Sequence, residues 1–169
     1  MTPPRIRVRP AVTAADADQI LQLISKLAEF EDLTPPDEEA CARFRRDGFE
    51  RKPPRFHALL ASIEGEEPCG YAIYFETYST FLCRPTLYLE DLFVMPVKRN
   101  LGVGKAIMQR VVREAVDRGC GRMEWTCLDW NTNAQEFYKR MGADHLEQWY
   151  FYRLDQEAMA KFDDSDAMK

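Results

Sequence analysis

Thr86-Leu87-Tyr88-Leu89-Glu90-Asp91-Leu92-Phe93-Val94-Met95, followed three residues later by Arg99-Asn100-Leu101-Gly102-Val103-Gly104, is the stretch on which the fold turns. Its first part is β-branched and aromatic and reads as a strand, interrupted only by two successive acids. From Val103 to Arg118 the apolar positions Val103, Ile107, Val111, Val112, Ala115 and Val116 recur at helical spacing, and Gly119 ends the run. The loop between strand and helix therefore presents backbone N–H groups together with the positive end of a helix dipole, which is a cradle for an anion. Gly102 and Gly104 allow the close approach, and Arg99 and Lys105 can add charge. A nucleotide-binding loop would need Gly at 99 and Ser or Thr at 106, where Arg and Ala stand. A dinucleotide fingerprint would need a third Gly at 107, where Ile stands.

Working outward, Arg5-Ile6-Arg7-Val8-Arg9 alternates like a half-buried strand, which Pro10 closes. Thr13 is a candidate N-cap for a helix over 14–31 whose apolar residues share one face. A shorter helix is expected from Glu38 to Gly48. Phe56 to Ile63 and Cys69 to Tyr78 read as a hairpin around Glu64-Gly65-Glu66-Glu67-Pro68. Downstream, Arg122 to Leu128 is expected as a strand, Thr132 to Met141 as a helix stopped by Gly142, and Gln148 to Leu154 as a last aromatic strand. The tail from Asp155 turns polar and is expected to fray. The order β α α β β β α β α β predicts an α/β fold in which later strands pair in parallel through crossover helices.

The chain has 169 residues, 46% of them apolar, enough for one domain with a core that needs no disulfide or metal. Its net charge of −5 argues against a nonspecific nucleic-acid binder and suits a cationic small substrate. Cys41, Cys69, Cys83, Cys120 and Cys127 show no C-x-x-C pairing and read as reduced structural thiols. His57 and His145 sit in no metal or triad pattern, so no metal is expected. No uncharged apolar run approaches ~18 residues, and no signal-peptide core is visible, so a cytoplasmic protein without a membrane partner is expected.

Three motifs in order complete the reading: the strand Tyr88 to Val94, then Arg99-x-x-Gly102-x-Gly104, then Trp130-Asn131-x-x-Ala134-x-x-Phe137-Tyr138-Lys139-x-x-Gly142. Together they resemble the GNAT family of acetyl-CoA-dependent N-acetyltransferases, and more narrowly its diamine and thialysine branch. The resemblance runs over about residues 5–153 and includes Leu27-Ala28-Glu29-Phe30-Glu31 and Phe56-His57-x-Leu59. It implies a GNAT fold: a mixed central sheet with flanking helices and a splayed strand pair that binds acetyl-CoA.

By this resemblance the pyrophosphate would sit on Arg99, Asn100, Leu101, Gly102, Val103, Gly104 and Lys105. The pantetheine would pair with the strand end Leu92, Phe93 and Val94, as an added strand does. A backbone N–H near Val94 would serve the thioester carbonyl. Asn131, Thr132, Asn133, Ala134 and Met141 would line the cofactor. Tyr138 would be the acid or hydrogen-bond donor for the departing CoA thiolate.

An alkylammonium near pKa ~10.4 is a free amine in only about one molecule in a few thousand at pH 7, so something must take its proton. Glu90, set in an otherwise apolar strand, is the candidate, acting directly or through water. Asp91 would face the other way in a regular strand and is expected to be structural or electrostatic. Phe30, Glu31, Glu124, Trp125, Thr126 and Glu147 resemble substrate-side positions, whose acids would select a cationic amine. Polyamine-specific relatives carry an acid just after the position of Tyr78; here Ser79 follows, which moves the expectation toward thialysine, lysine-like or other short amines. A homodimer is implied by the resemblance alone. A protein-lysine acetyltransferase and a non-catalytic acyl-CoA sensor remain the alternatives.

Overall fold

The computed structural model describes residues 4–163 and divides the chain into two compact units, Met1–Thr126 and Cys127–Lys169. In the first unit, strand β1 (Ile6–Pro10) leads through Thr13 into helix α1 (Ala14–Phe30). A reciprocal capping box fixes this junction, with the Thr13 side chain accepting from the Asp16 backbone while the Asp16 carboxylate accepts from the Thr13 backbone. Helix α2 (Glu38–Arg45) runs into a π-helical turn at Arg46–Glu50. Then come β2 (His57–Ile63), β3 (Pro68–Ser79), β4 (Arg84–Val94), a 3-10 turn, helix α3 (Val103–Asp117) and β5 (Arg122–Glu124).

The five strands form one mixed sheet in the order β1-β2-β3-β4-β5. The first three pairings are antiparallel, and β4 with β5 is parallel, the geometry that a crossover helix such as α3 permits. Adjacent β3 residues face opposite sides. Tyr71 joins the α1 side, packed with Ile20, Leu23, Leu60, Ile73 and Phe93. A side chain at Gly70 would instead meet Ile107 of α3, so the two helices cover the two faces. This is the mixed sheet with flanking helices that the sequence implied.

Three expectations need correction. The strand from Arg122 stops at Glu124 instead of Leu128, because β5 pairs only Thr86–Tyr88 of β4. Gln148 to Leu154 forms no strand: Trp149, Tyr150, Phe151 and Tyr152 are exposed, and their β propensity meets no partner edge among the described residues. The tail does not simply fray, since Gln156–Asp163 forms helix α5, with Asp155 accepting from the Ala158 N–H at 2.8 Å like an N-cap. The second unit thus holds helix α4 (Thr132–Arg140) and α5.

Candidate active site

β4 is not a regular strand. Ile73 of β3 faces Asp91, whereas Tyr74 faces Leu89, so Glu90 is the extra residue of a β-bulge. The bulge resets the alternation. Leu87 and Leu89 are buried before it, and Phe93 lies with Tyr71 on the α1 side after it. Glu90 is left exposed, while Asp91 is partly buried and accepts a hydrogen bond from the Tyr71 hydroxyl at 3.3 Å. The strand is not regular here, so the alternation that would set these two acids on opposite faces does not apply.

Beyond Tyr88, β4 has no strand on its β5 side among the described residues, whereas on the other side it pairs with β3 up to Val94–Gly70. Leu92, Phe93 and Val94 therefore lie on an edge that is open to an amide-bearing ligand. That edge runs, through Met95 and the 3-10 turn at Pro96–Lys98, into the cradle loop. Asn100 and Gly102 have φ of 62° and 90°, and Gly102 is the N-cap of α3. No side chain caps α3 and its first turn holds no acid, so the N–H groups of Val103, Gly104 and Lys105 are not used by capping side chains. A Cβ on Gly104 would meet only Val94 Cγ2, at 3.8 Å. These features fit an anionic diphosphate.

Arg99 is held differently from the rest of the loop. Its Nε donates to the Val94 carbonyl at 3.2 Å, and its guanidinium lies 4.4 Å over the Phe30 ring, tying the loop and the end of β4 to α1. At that end of α1, burial pushes the Glu31 carboxyl up from its usual range. Asp91 is pushed up to about 6, by burial first and by the neighbouring Glu90, against the lowering pull of the Tyr71 hydrogen bond; Glu31 adds to the rise. Among the other residues expected on the substrate side, Glu124 is paired with Arg122 at 2.9 Å, and Trp125 and Thr126 follow directly after β5.

The second unit carries the other expected residues. The Asn131 side chain caps α4 by accepting from the Ala134 N–H at 3.3 Å. Gln135 closes the preceding loop by donating to the Leu128 and Asp129 carbonyls at 3.1 and 2.8 Å. Tyr138 stands two turns from Asn131, its ring 5.4 Å from that of Phe137. Burial, reinforced by the nearby Cys127 thiol, pushes the phenol up to about 12. It therefore stays protonated at neutral pH. Thr132 and Asn133 open α4, and Met141 is its C-cap. Glu147 is highly exposed and lies 4.0 Å from His145, itself outside any regular element.

The structure brings Asp91 and the Tyr71 hydroxyl together, a pairing not named from the sequence. The signal was present as two consecutive acids in an apolar run, but only the register reveals which acid is carried inward. Among the described residues, no helix is long and apolar enough to cross a membrane.

The acetyltransferase (GNAT) family model matches residues 17–143. A thialysine N-epsilon-acetyltransferase of Bos taurus is 39% identical over 85% of this chain and 89% of its own, and one of Caenorhabditis elegans is 35% identical over 90% and 94%. An L-ornithine N5-acetyltransferase of Arabidopsis thaliana is 38% identical over 56% of this chain and 41% of its own. Among solved structures, an integron cassette protein from the mobile metagenome of V. cholerae superposes with a TM-score of 0.80 at 21% identity, covering 95% of this chain and 98% of its own. With an anion cradle, an open strand edge and a protonated phenol in keeping with these likenesses, the chain belongs to the GNAT family of acetyltransferases.

Proposed function

We propose that this protein transfers the acetyl group of acetyl-CoA directly to a primary amine of a small cationic molecule, with thialysine and other short lysine-like amines as the first candidates. The observation that carries the reading is the continuity of the open β4 edge with the uncapped start of α3: amide-pairing strand and diphosphate cradle follow one another within a dozen residues. The names of the relatives supply the amine class, since thialysine and ornithine both present a primary amine on a short chain. Ser79, where an acid would favour polyamines, is buried and accepts from the Leu82 N–H at 3.2 Å, which supports short amines over spermidine or spermine.

Acetyl-CoA would supply the acetyl group as an activated thioester. Arg99 to Lys105, and Asn131 to Ala134 with Met141, would hold it, and a backbone N–H near Val94 would donate to the thioester carbonyl oxygen. Glu90 would take the ammonium proton through a water molecule, a deprotonation that for a free alkylammonium costs about 4 to 5 kcal/mol at pH 7. The freed nitrogen would bond to the carbonyl carbon as the C–S bond breaks, its surplus proton passing to solvent water, and Tyr138 would donate a hydrogen bond to the departing sulfur. A phenol held up to about 12 fits a hydrogen-bond donor that keeps its proton while CoA leaves as thiolate. Phe30 and Glu31 would receive the amine, along with Trp125 and Thr126. Glu124 and Glu147 contribute only if they leave Arg122 and solvent.

The same reading makes the protein a cytoplasmic homodimer with a single acetyltransferase domain per chain. Five unbridged cysteines suit a reducing compartment.

The test is acetyl-CoA-dependent product formation, followed by mass spectrometry over thialysine, lysine, ornithine, putrescine, spermidine and a lysine peptide. Saturable acetylation of one or two small amines is expected, with Glu90→Gln and Tyr138→Phe each lowering kcat on the order of 10². Acetylation of the peptide alone would overturn the small-amine reading. Silence with stoichiometric acetyl-CoA binding would make the protein a sensor.

A further inference from the structure

The reaction as proposed uses Glu90 and leaves Asp91 without a task, although Asp91 is the acid that the fold carries inward. The bulge at Glu90 turns Asp91 toward the α1 side of the sheet, opposite Ile73 and in reach of the Tyr71 hydroxyl. Tyr71 is itself fully buried, so its hydroxyl has been taken from water to reach this one carboxylate. The titratable groups acting on Asp91 are Tyr71 from β3, Glu31 from the C-terminal cap of α1 and Glu90 beside it on β4. Arg99 lies over the ring of Phe30, the residue before Glu31, with its Nε committed to Val94. Burying a carboxylate with one neutral donor and two further acids nearby is costly for the empty protein, and a cation would relieve that cost.

We propose that Asp91, positioned by the hydroxyl of Tyr71, is a second carboxylate of the amine site, and that its ionised form sets the affinity for the cationic substrate while Glu90 takes the proton. This rests on the amine-acetyltransferase reading above. Tyr71 is then a positioning residue that acts through Asp91. The pair explains why a tyrosine rather than a phenylalanine occupies a fully buried place in the sheet.

The sign of the pH effect follows from the surroundings. With Asp91 pushed up to about 6, an amine that stays protonated throughout should bind progressively less well as the pH falls through that value. Removing the Tyr71 hydroxyl removes a hydrogen bond that lowers the Asp91 pKa, so the loss of affinity should begin at a higher pH.

The experiment measures kcat/KM for the amine, and KM for acetyl-CoA, from pH 5 to 8.5 in the wild type, Tyr71→Phe and Asp91→Asn, with thermal melts as the control for folding. Expected are an acid limb near pH 6 in the wild type, a limb displaced upward in Tyr71→Phe, and no such limb in Asp91→Asn. Asp91→Asn should also lose about tenfold or more in kcat/KM for the amine at pH 7.5, with KM for acetyl-CoA within twofold. If Asp91→Asn does not fold, the near-isosteric Tyr71→Phe decides by the direction of its limb. An acid limb unchanged in both variants, or a change in acetyl-CoA KM as large as that for the amine, overturns the proposal. An enzyme that acetylates none of the amines overturns the underlying reading instead, which the wild-type assay alone reveals.

Discussion

Replacing Asp16 with asparagine should cost this protein roughly 3 kcal/mol of stability, although the two side chains have nearly the same shape. Asp16 is only 4% exposed, and both of its oxygens are engaged. Oδ2 accepts from the backbone N–H groups of Val12 and Thr13 at 2.9 and 3.0 Å, and Oδ1 accepts from Arg9 at 2.6 Å. All three partners are donors. An asparagine must therefore aim its NH₂ either at two backbone N–H groups or at a guanidinium, leaving buried donors unsatisfied at about 1 to 3 kcal/mol. Loss of the charge-assisted bond to Arg9 brings the total to about 3. For a chain of this size that corresponds to a fall in Tm of about 6 to 12 °C at pH 7.

The pH dependence provides an internal control. Burial alone would push the Asp16 carboxyl up, but the hydrogen bonds from Arg9, Thr13 and Val12 outweigh it and hold the group well below the usual carboxylate range. A carboxylate depressed in the folded state contributes stability above its unfolded value near ~3.9, and that contribution is lost as the pH falls through the folded value. The gap between wild type and Asp16→Asn should thus be full at pH 7 and shrink progressively below about pH 4. Differential scanning calorimetry from pH 3 to 7 measures it. A Tm within 1 °C of wild type at pH 7, or a gap that widens on acidification, would refute the reasoning.

Gly104→Ala should fold normally, since its Cβ meets only Val94 Cγ2 at ordinary contact distance, yet weaken acetyl-CoA by about tenfold in calorimetric titration because the cradle depends on close backbone approach. Gly70→Ala should be destabilised by about 1 to 3 kcal/mol in urea melts, its Cβ falling 2.8 Å from the Phe93 carbonyl oxygen and 3.1 Å from Ile107. His57 is held below its ordinary pKa by burial and by Arg118; stability should therefore decline as the pH falls through about 6.5, where the unfolded chain takes up a proton that the folded one resists. Urea melts at pH 5.5 and 7.5 should show that slope diminished in His57→Asn.

Much of this was legible in the sequence because the signals are local. The apolar spacing of α3, the Thr13 cap and the glycines of the cradle depend on residues within a turn or two of each other. Tyr138 and Asn131 could likewise be placed on one helix face from their spacing alone. Glu90 was legible as an anomaly, a carboxylate in an apolar strand. Its neighbour Asp91 was not, because a bulge is a property of two strands in register and β3 lies some twenty residues away.

What the sequence by itself determined is the run of elements from β1 to α4 and the family, since periodicity, capping and motif spacing are written along the chain. What only the tertiary structure decided is where pairing begins and ends. β5 stops after three residues, leaving the β4 edge open where a ligand can pair. The aromatic run Gln148–Leu154 has the composition of a strand, yet it forms none among the described residues. A strand exists through hydrogen bonds to another strand, so propensity can nominate it and only a partner edge can make it. The same physics separates the two acids of β4: one inserted residue in the ladder leaves Glu90 in water and takes Asp91 to the hydroxyl of Tyr71.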